Sequence, residues 1–439
     1  MEISKIKSKL GNLLGVFAFK ILMELAYIYC IVVTWDNLQF YYTPNWNACI
    51  LSYLYCAVIV LVIPEDDNKL SALICQFFTI TSVVPYMIFY WTNNKSHWYA
   101  LCTFCMVLII FLLANRPGRG WVFEEKINRN TAAVILQVIF VGYVVAALWL
   151  CFKGGGIDLR ALSFTDAYEI REEGTGLNIL EEYLLQWSAK ALTPFFMAYF
   201  LMYKKYLRCA ACVVIQAVFY FTFGHKAFLL SIVLFVALYG LSKWFKKTRI
   251  MYSLSFGALA AVTFLYGIGA RLKVFWVIAW QGVMRMFVEP AKIKFQYFDF
   301  FRERDKLLFS EGIIGKLFSL EYPFDKAIGY VISDFSSGGR LISNSNTGLI
   351  GDAYAQMGEF GMVLCGVLVG VLICVTDRVS TRIPIAYKIA MFSYICITLN
   401  DNALQTTLLT GGWVVMILMM LLLNSELYQK GNHPDAILS

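Results

Sequence analysis

The sequence predicts an all-α polytopic membrane protein, built as a single integral membrane domain over residues 1–439. Hydrophobic residues make up 59% of the chain, charged residues make up only 15%, and the mean hydropathy is +0.65. A soluble domain carries about 25% charged residues. This chain therefore has too little polar surface for two or three soluble domains, and its composition also excludes a disordered chain, a coiled coil and a small disulfide-rich protein.

About 12 transmembrane helices are expected, because a membrane-spanning helix needs about 20 mainly apolar residues. The apolar segments centre on 14–34, 47–63, 70–91, 98–114, 131–152, 186–203, 207–224, 227–242, 251–269, 348–375, 384–400 and 408–424. Within the first segment, Lys20 and Glu24 lie one helical turn apart, and we expect them to neutralise each other.

The twelve cysteines lie in or beside these apolar segments, which favours packing over a disulfide framework. Cys102 and Cys105 form a CxxC inside an apolar run. No histidine cluster accompanies this motif, so a zinc site is not predicted.

Lysine and arginine in short connections predict the orientation, because such residues are enriched on the cytoplasmic side. Basic residues cluster near the N-terminus and in connections at 116–129, 204–208, 243–249 and 378–388. These segments all fall on one side if the N-terminus is cytoplasmic, and the acidic loop at 64–70 is the exception. We therefore expect both termini in the cytoplasm.

Two long external loops follow from this orientation, at roughly 153–186 and 270–347. The first is acidic, whereas the second has eleven basic and eight acidic residues. We expect amphipathic helices in both loops, and the aromatic and basic pattern at 275–301 predicts a segment half-sunk at the membrane interface. The basic residues could reach towards water from the interface or could bind an anionic group, and composition leaves both interpretations open.

The tenth predicted span begins with a polar, glycine-rich stretch. Asp352 and Glu359 are seven residues apart, so a continuous helix would place them on one face. Charges at such depth usually point into a helix bundle or a wet cavity. Further along, Gly366 and Gly370 form a GxxxG pattern, which predicts close helix packing.

Several short motifs occur in a fixed order between about residues 130 and 425. They are Tyr168-x-x-Arg171; Gly224-His225-Lys226; Arg285 to Pro290 followed by Tyr297-x-x-Phe300-Phe301; Asn346-x-Gly348-x-x-Gly351-Asp352-x-Tyr354; and Leu409-Thr-Gly411-Gly412. Together they resemble the oligosaccharide repeat-unit polymerases, the Wzy-type O-antigen and capsule polymerases.

The resemblance implies a GT-C-like glycosyltransferase of the bacterial plasma (inner) membrane, with its active site on the external, periplasmic face. Such an enzyme transfers a growing glycan en bloc from one undecaprenyl pyrophosphate to the non-reducing end of another lipid-linked repeat unit. The implied partners are this donor and acceptor, the lipid bilayer and a chain-length regulator protein. No nucleic acid, cofactor or metal is expected.

This chemistry requires groups that bind pyrophosphate and one group that takes a proton from the acceptor hydroxyl. Arginine is the preferred phosphate ligand because its planar guanidinium can contact two oxygens at once. The expected phosphate- and substrate-binding residues are Arg171, Lys226, Arg271, Arg285, Tyr297 and Arg340. The candidate proton acceptors are Asp166, Glu169, His225 and Asp352, and the sequence does not rank them.

Other functions share this hydropathy. An O-antigen ligase would depend on an external-loop histidine, and the second long loop contains none. Another polyprenyl-dependent GT-C transferase would favour an acid just after the first span, where Asp36 lies in a short loop. A lipid-linked oligosaccharide flippase or another transporter would show paired halves and interrupted helices at corresponding positions, and no internal repeat is visible.

Overall fold

The computed structural model describes residues 2–34, 40–64, 68–116, 127–162, 170, 176–245, 280–339 and 344–428. These residues form helices and connections, with no strand among them. The all-α prediction is confirmed, and the long apolar helices support a polytopic membrane protein.

The helices of the first part of the chain alternate in direction with short connections between most of them. Their bounds are α1 Glu2–Ala26, α2 Trp46–Val62, α3 Leu70–Thr92, α4 His97–Ala114, α5 Arg129–Lys153, α6 Ile179–Trp187 with its continuation Thr193–Met202, α7 Tyr206–Phe223 and α8 Lys226–Phe245.

The second part contains shorter helices between long ones. Their bounds are α9 Glu289–Phe301, which continues a π-helical segment Trp280–Val288, then α10 Ile313–Leu317, α11 Ile328–Ser337, α12 Leu349–Val379, α13 Ile385–Asp401, α14 Leu404–Leu408 and α15 Trp413–Glu426.

Three prolines lie two residues after the ends of π-helical segments. Pro85, Pro194 and Pro290 follow the π segments Thr79–Val83, Ser188–Leu192 and Trp280–Val288. A proline inside a helix lacks the N–H of the helical ladder, and its ring clashes with the preceding turn. The wider π turn accommodates the proline without ending the helix.

Eight helices among the described residues are long and apolar enough to cross a membrane. They are Lys9–Ile31, Leu70–Thr92, His97–Ala114, Arg129–Lys153, Tyr206–Phe223, Lys226–Lys243, Leu349–Val379 and Leu404–Glu426. The predicted span at 47–63 is a shorter apolar helix, and those at 186–203 and 384–400 are helical but outside the eight. The one at 251–269 lies outside the described residues, so the count of twelve stays a prediction.

Several connections meet at one end of the bundle, which we call the basic end because it carries the basic segments 204–208 and 378–388. Asp377 accepts a hydrogen bond from the backbone N–H of Ser71 at 2.8 Å, and Lys388 donates to the carbonyl of Asn68 at 3.2 Å. The hydroxyl of Tyr203 donates to Glu426 at 3.0 Å. We call the opposite end, which holds 40–45, 93–96, 224–225 and 402–412, the site end. Which end faces the cytoplasm stays a prediction.

The expectation that Asp352 and Glu359 share a helical face is wrong. Met357 (φ −146°, ψ 22°) and Gly358 (φ 61°, ψ −141°) are not helical and divide α12 into two parts. Glu359 accepts a hydrogen bond from the indole of Trp98 at 3.0 Å, whereas Asp352 accepts one from Gln356 at 2.9 Å. Spacing along a helix predicts a shared face only while the helix is continuous.

The aromatic pattern predicted a segment half-sunk at a lipid interface, and this prediction is wrong. The aromatic helix α9 is buried in the bundle. Phe295 stacks on Tyr86 at a centroid distance of 4.3 Å, and Phe298 stacks on Tyr99 at 4.5 Å. Phe298 also contacts Tyr354 of α12 at 4.3 Å. The rings therefore fasten α9 to the core, because each buries a large apolar area.

Two other packing predictions are confirmed. Lys20 pairs with Glu24 inside the bundle, where Glu24 also accepts hydrogen bonds from Tyr53 at 2.6 Å and Trp91 at 2.8 Å. A methyl group built on Gly370 would lie 2.7 Å from Cβ of Leu113, so the GxxxG pattern lets α12 approach α4 closely. All twelve cysteines are free.

Candidate functional site

The predicted site residues divide into those inside and outside the described part of the chain. Outside it lie Asp166, Glu169, Arg171, Arg271 and Arg340. Inside it lie Arg285, Tyr297, Asp352, His225 and Lys226. The first three of these belong to the second long loop and the start of α12, at the site end of the bundle.

Arg285 lies near the end of the π-helical segment that precedes α9. Its guanidinium forms an ion pair with Glu289 at 3.1 Å, one helical turn further on, and 51% of its side-chain surface is exposed. An ion pair this exposed contributes little to stability. Its consequence is geometric, because it holds an accessible guanidinium at the surface of the site end.

A buried polar cluster that the sequence did not predict lies beside Arg285. Lys294 is only 1% exposed, and its ammonium donates to Oδ1 of Asn400 at 2.8 Å. The side-chain amide of Asn400 donates in turn to the carbonyl of Met286 at 3.1 Å. Asn400 therefore links the end of α13 to the segment that carries Arg285.

Asp401 adds a carboxylate to this cluster. It interacts electrostatically with Lys294 and with Arg285, and its buried Oδ1 has no hydrogen-bond partner among the described residues. Burial lowers the pKa of Lys294, and the neighbouring Asp401 opposes that shift. A buried ionisable group is costly unless it is paired and hydrogen-bonded, and Lys294 has both a hydrogen bond to Asn400 and the neighbouring carboxyl group of Asp401.

The phenol of Tyr297 lies inside the protein, on the helical face of α9 that also carries Lys294. It donates a hydrogen bond to the backbone carbonyl of Ser345 at 3.1 Å. Burial, followed by the nearby Asp352 and Glu311, raises the pKa of Tyr297. This hydrogen bond attaches the segment before α12 to α9, and the hydroxyl is engaged with the backbone.

Asp352 is half-buried in the first part of α12. Its carboxylate accepts hydrogen bonds from the side-chain amide of Gln356 at 2.9 Å and from the backbone N–H of Leu404. Gln356 in turn accepts a hydrogen bond from the backbone N–H of Phe309 at 2.7 Å. Asp352 therefore holds the start of α14 against α12, a structural role that exists independently of any role in catalysis.

Glu311 is a second carboxylate near Asp352, and no sequence motif pointed to it. It accepts a hydrogen bond from the backbone N–H of Ile328 at 3.0 Å, at the start of α11. Burial raises the pKa of Glu311. A carboxylate at a helix N-terminus is stabilised by the helix dipole, but this one is also shielded from water.

His225 and Lys226 lie in the hairpin between α7 and α8. The first long loop contacts the end of α7 beside this hairpin. The hydroxyl of Tyr220 donates to the carbonyl of Ala161 at 2.5 Å, and the N–H of Asp158 donates to the carbonyl of Phe221 at 3.1 Å. The ring of His225 lies 5.0 Å from that of Phe228. The first two contacts place the end of α7, which precedes His225 and Lys226, beside the first loop.

Further basic residues follow α9, and the structure gives them different surroundings. Arg304 donates to the carbonyl of Phe300 at 3.1 Å, and Lys306 bonds the carbonyl of Phe301 and covers the ring of Tyr354. Arg302 is exposed. Among the described residues, Arg285 and Arg302 are therefore the guanidinium groups of this loop that are best placed to meet an anion from outside.

Comparisons of the chain with protein-family models, curated proteins and solved structures found no match. Among the described residues, no three His, Cys, Asp or Glu side chains are grouped so that they could hold a metal ion.

Proposed function

We propose that this protein is a glycosyltransferase that joins undecaprenyl pyrophosphate-linked oligosaccharide repeat units into a surface polysaccharide. The proposed location is the outer face of the bacterial plasma membrane, with both termini in the cytoplasm. Donor and acceptor are both lipid-linked, and a chain-length regulator protein is a proposed partner.

The observation that carries the proposal is the accessible guanidinium of Arg285 at one end of an apolar helix bundle. It lies in a loop with eleven basic residues, and Glu289 fixes its position at 3.1 Å. A pyrophosphate whose polyprenyl chain lies in the bilayer must present its charge at the end of the membrane helices. An arginine there is suited to this task because it can contact two phosphate oxygens.

The proposed reaction needs little beyond positioning and charge neutralisation. The acceptor hydroxyl oxygen bonds to the anomeric carbon of the donor glycan as the bond between that carbon and the pyrophosphate oxygen breaks. Basic residues stabilise the negative charge that develops on the leaving pyrophosphate. A carboxylate or histidine takes the hydroxyl proton, and the candidates remain Asp166, Glu169, His225 and Asp352.

The direct experiment incubates purified protein in lipid with lipid-linked repeat units and separates the products by glycan length. We expect a ladder of products from the wild type and single units from Arg285→Ala. Lys326→Ala is the matched control, because Lys326 lies in the same loop in an exposed ion pair with Asp334. Both variants must insert into membranes in amounts similar to the wild type.

Other outcomes identify the alternatives. Transfer of one glycan to a lipid A core, with no ladder, would indicate an O-antigen ligase. Movement of intact lipid-linked units across a bilayer without new glycosidic bonds would indicate a flippase. A ladder from Arg285→Ala of wild-type length would contradict the proposed phosphate-binding role.

A further inference from the structure

One segment of the second long loop exposes large apolar side chains, although most of the preceding helix is buried. In the segment 312–320, Leu317 is 73% exposed and Phe318 is 68% exposed, and Ile313 and Leu320 are exposed as well. Lys316 is exposed beside them. A contiguous apolar surface of this kind usually marks an interaction site.

The fold of the segment fixes which side faces outwards. Gly315 is buried against the backbone of Ser310, where a methyl group would overlap the carbonyl oxygen at 1.9 Å. The N–H of Leu320 donates to the carbonyl of Gly315 at 2.8 Å and closes the turn. Ile313 and Leu317 are four residues apart on the opposite side of this short helix, so the apolar side chains point away from the protein.

The height of the segment along the bundle follows from α15. This helix has 14 residues, which corresponds to a length of about 21 Å. Its last residue, Glu426, lies at the basic end, where it accepts a hydrogen bond from Tyr203, and Lys204 and Lys205 follow that tyrosine. The hydrocarbon core of a bilayer is about 30 Å thick. Measured from the basic end, α15 is therefore too short to reach the opposite border of that core.

The remaining distance between the start of α15 and that border is spanned by α14 and the turn 409–412. Trp187 donates its indole N–H to the carbonyl of Leu409 at 2.8 Å, and tryptophan is enriched at membrane–water interfaces. A methyl group on Gly312 would lie 3.5 Å from Oε1 of Gln405 in α14. The segment 312–320 therefore begins beside α14, at the membrane border of the site end.

The length of a second helix, α12, also locates the membrane border of the site end. The part of α12 after its break, residues 359–379, has a length of about 31 Å, close to the thickness of the hydrocarbon core. It begins at Glu359, which is bonded to Trp98, and it ends at the basic end near Asp377. Val414 and Leu418 of α15 are also exposed apolar residues.

We infer that the segment 312–320 is a membrane anchor that inserts Leu317 and Phe318 into the lipid leaflet at the site end. The segment lies at the boundary between lipid headgroups and acyl chains, where apolar side chains are buried and a neighbouring lysine contacts phosphate. Lys316 supplies that cation. The anchor would hold the second long loop against the membrane surface, and this inference does not depend on the glycosyltransferase proposal.

The test places the photoreactive residue p-benzoylphenylalanine at 318 in the full chain, in proteoliposomes of phosphatidylethanolamine and phosphatidylglycerol. Position 317 is a second, independent site, and Asp325→p-benzoylphenylalanine is the control because Asp325 is an exposed polar residue of the same loop. After irradiation, mass spectrometry measures protein carrying one phospholipid. We expect at least about tenfold more lipid adduct at 318 and 317 than at 325, since only an inserted side chain meets acyl chains.

The competing outcomes overturn the inference. A crosslink between two copies as the main product would make the segment a self-association surface. Equal lipid adduct at 318, 317 and 325, or none at 318 and 317, would show that the segment does not insert. Because these positions are exposed, each variant should elute as the wild type does in size-exclusion chromatography.

Discussion

The ammonium of Lys294 donates a hydrogen bond to Oδ1 of Asn400 at 2.8 Å, across 106 residues of sequence. The side-chain amide of Asn400 donates a second hydrogen bond to the carbonyl of Met286. The end of α13 is thus joined to the segment that carries Arg285.

Lys294→Met should destabilise the protein. The substitution leaves Oδ1 of Asn400 without its donor, and a buried polar group left unsatisfied costs about 1–3 kcal/mol. We expect a lower apparent Tm in lipid–detergent micelles. Lys326→Met, which removes an exposed cation, should change the Tm little, and equal shifts for both variants would contradict the role assigned to Lys294.

Glu311→Gln should stabilise the protein at neutral pH. Burial raises the pKa of Glu311, so the folded state keeps its proton to higher pH than the unfolded state, and stability falls as pH rises through that window. Glutamine can still accept the hydrogen bond from Ile328 but cannot ionise. The Tm difference between variant and wild type should be small near the usual carboxyl pKa and should grow as pH rises. A Tm difference that stays constant from about pH 4.3, the ordinary glutamate pKa, to neutral pH would argue against burial as the cause.

Gly358→Ala should destabilise α12 at its break. Its φ of 61° and ψ of −141° fall in a region that is essentially restricted to glycine, and forcing another residue there costs about 1–3 kcal/mol. A methyl group would also lie 3.3 Å from Cε of Lys306. Gly142→Ala is the control, because Gly142 lies within helix α5 with nothing within 4 Å, and a comparable loss of Tm there would contradict the argument.

A topology reporter should place the site end outside the cytoplasm. We expect alkaline phosphatase fused after Gly312 to be active in bacterial cells and green fluorescent protein at the same position to be dark. Fusions after Lys204, at the basic end, should give the opposite result, because lysine and arginine are retained on the cytoplasmic side. Fluorescence after Gly312 would reverse the orientation and remove the basis for an external active site.

The local sequence was sufficient for several features. The hydropathy predicted the helical membrane class, and the eight spans among the described residues agree with predicted segments. The four-residue spacing of Lys20 and Glu24 predicted their pairing, and the GxxxG pattern predicted the approach of α12 to α4. Each of these depends on composition or on neighbours within a few turns of one helix, which is the range over which helical periodicity holds.

The tertiary structure decided the rest. Lys294 and Asn400 became partners because α9 and α13 pack together, and no spacing within either helix specifies that contact. Asp352 and Glu359 were separated because the backbone breaks at Met357 and Gly358, which a helical repeat cannot anticipate. The burial of the α9 aromatics and the exposure of Leu317 and Phe318 likewise depend on which neighbours are present, since a sequence states how apolar a side chain is and only the packed fold determines what covers it.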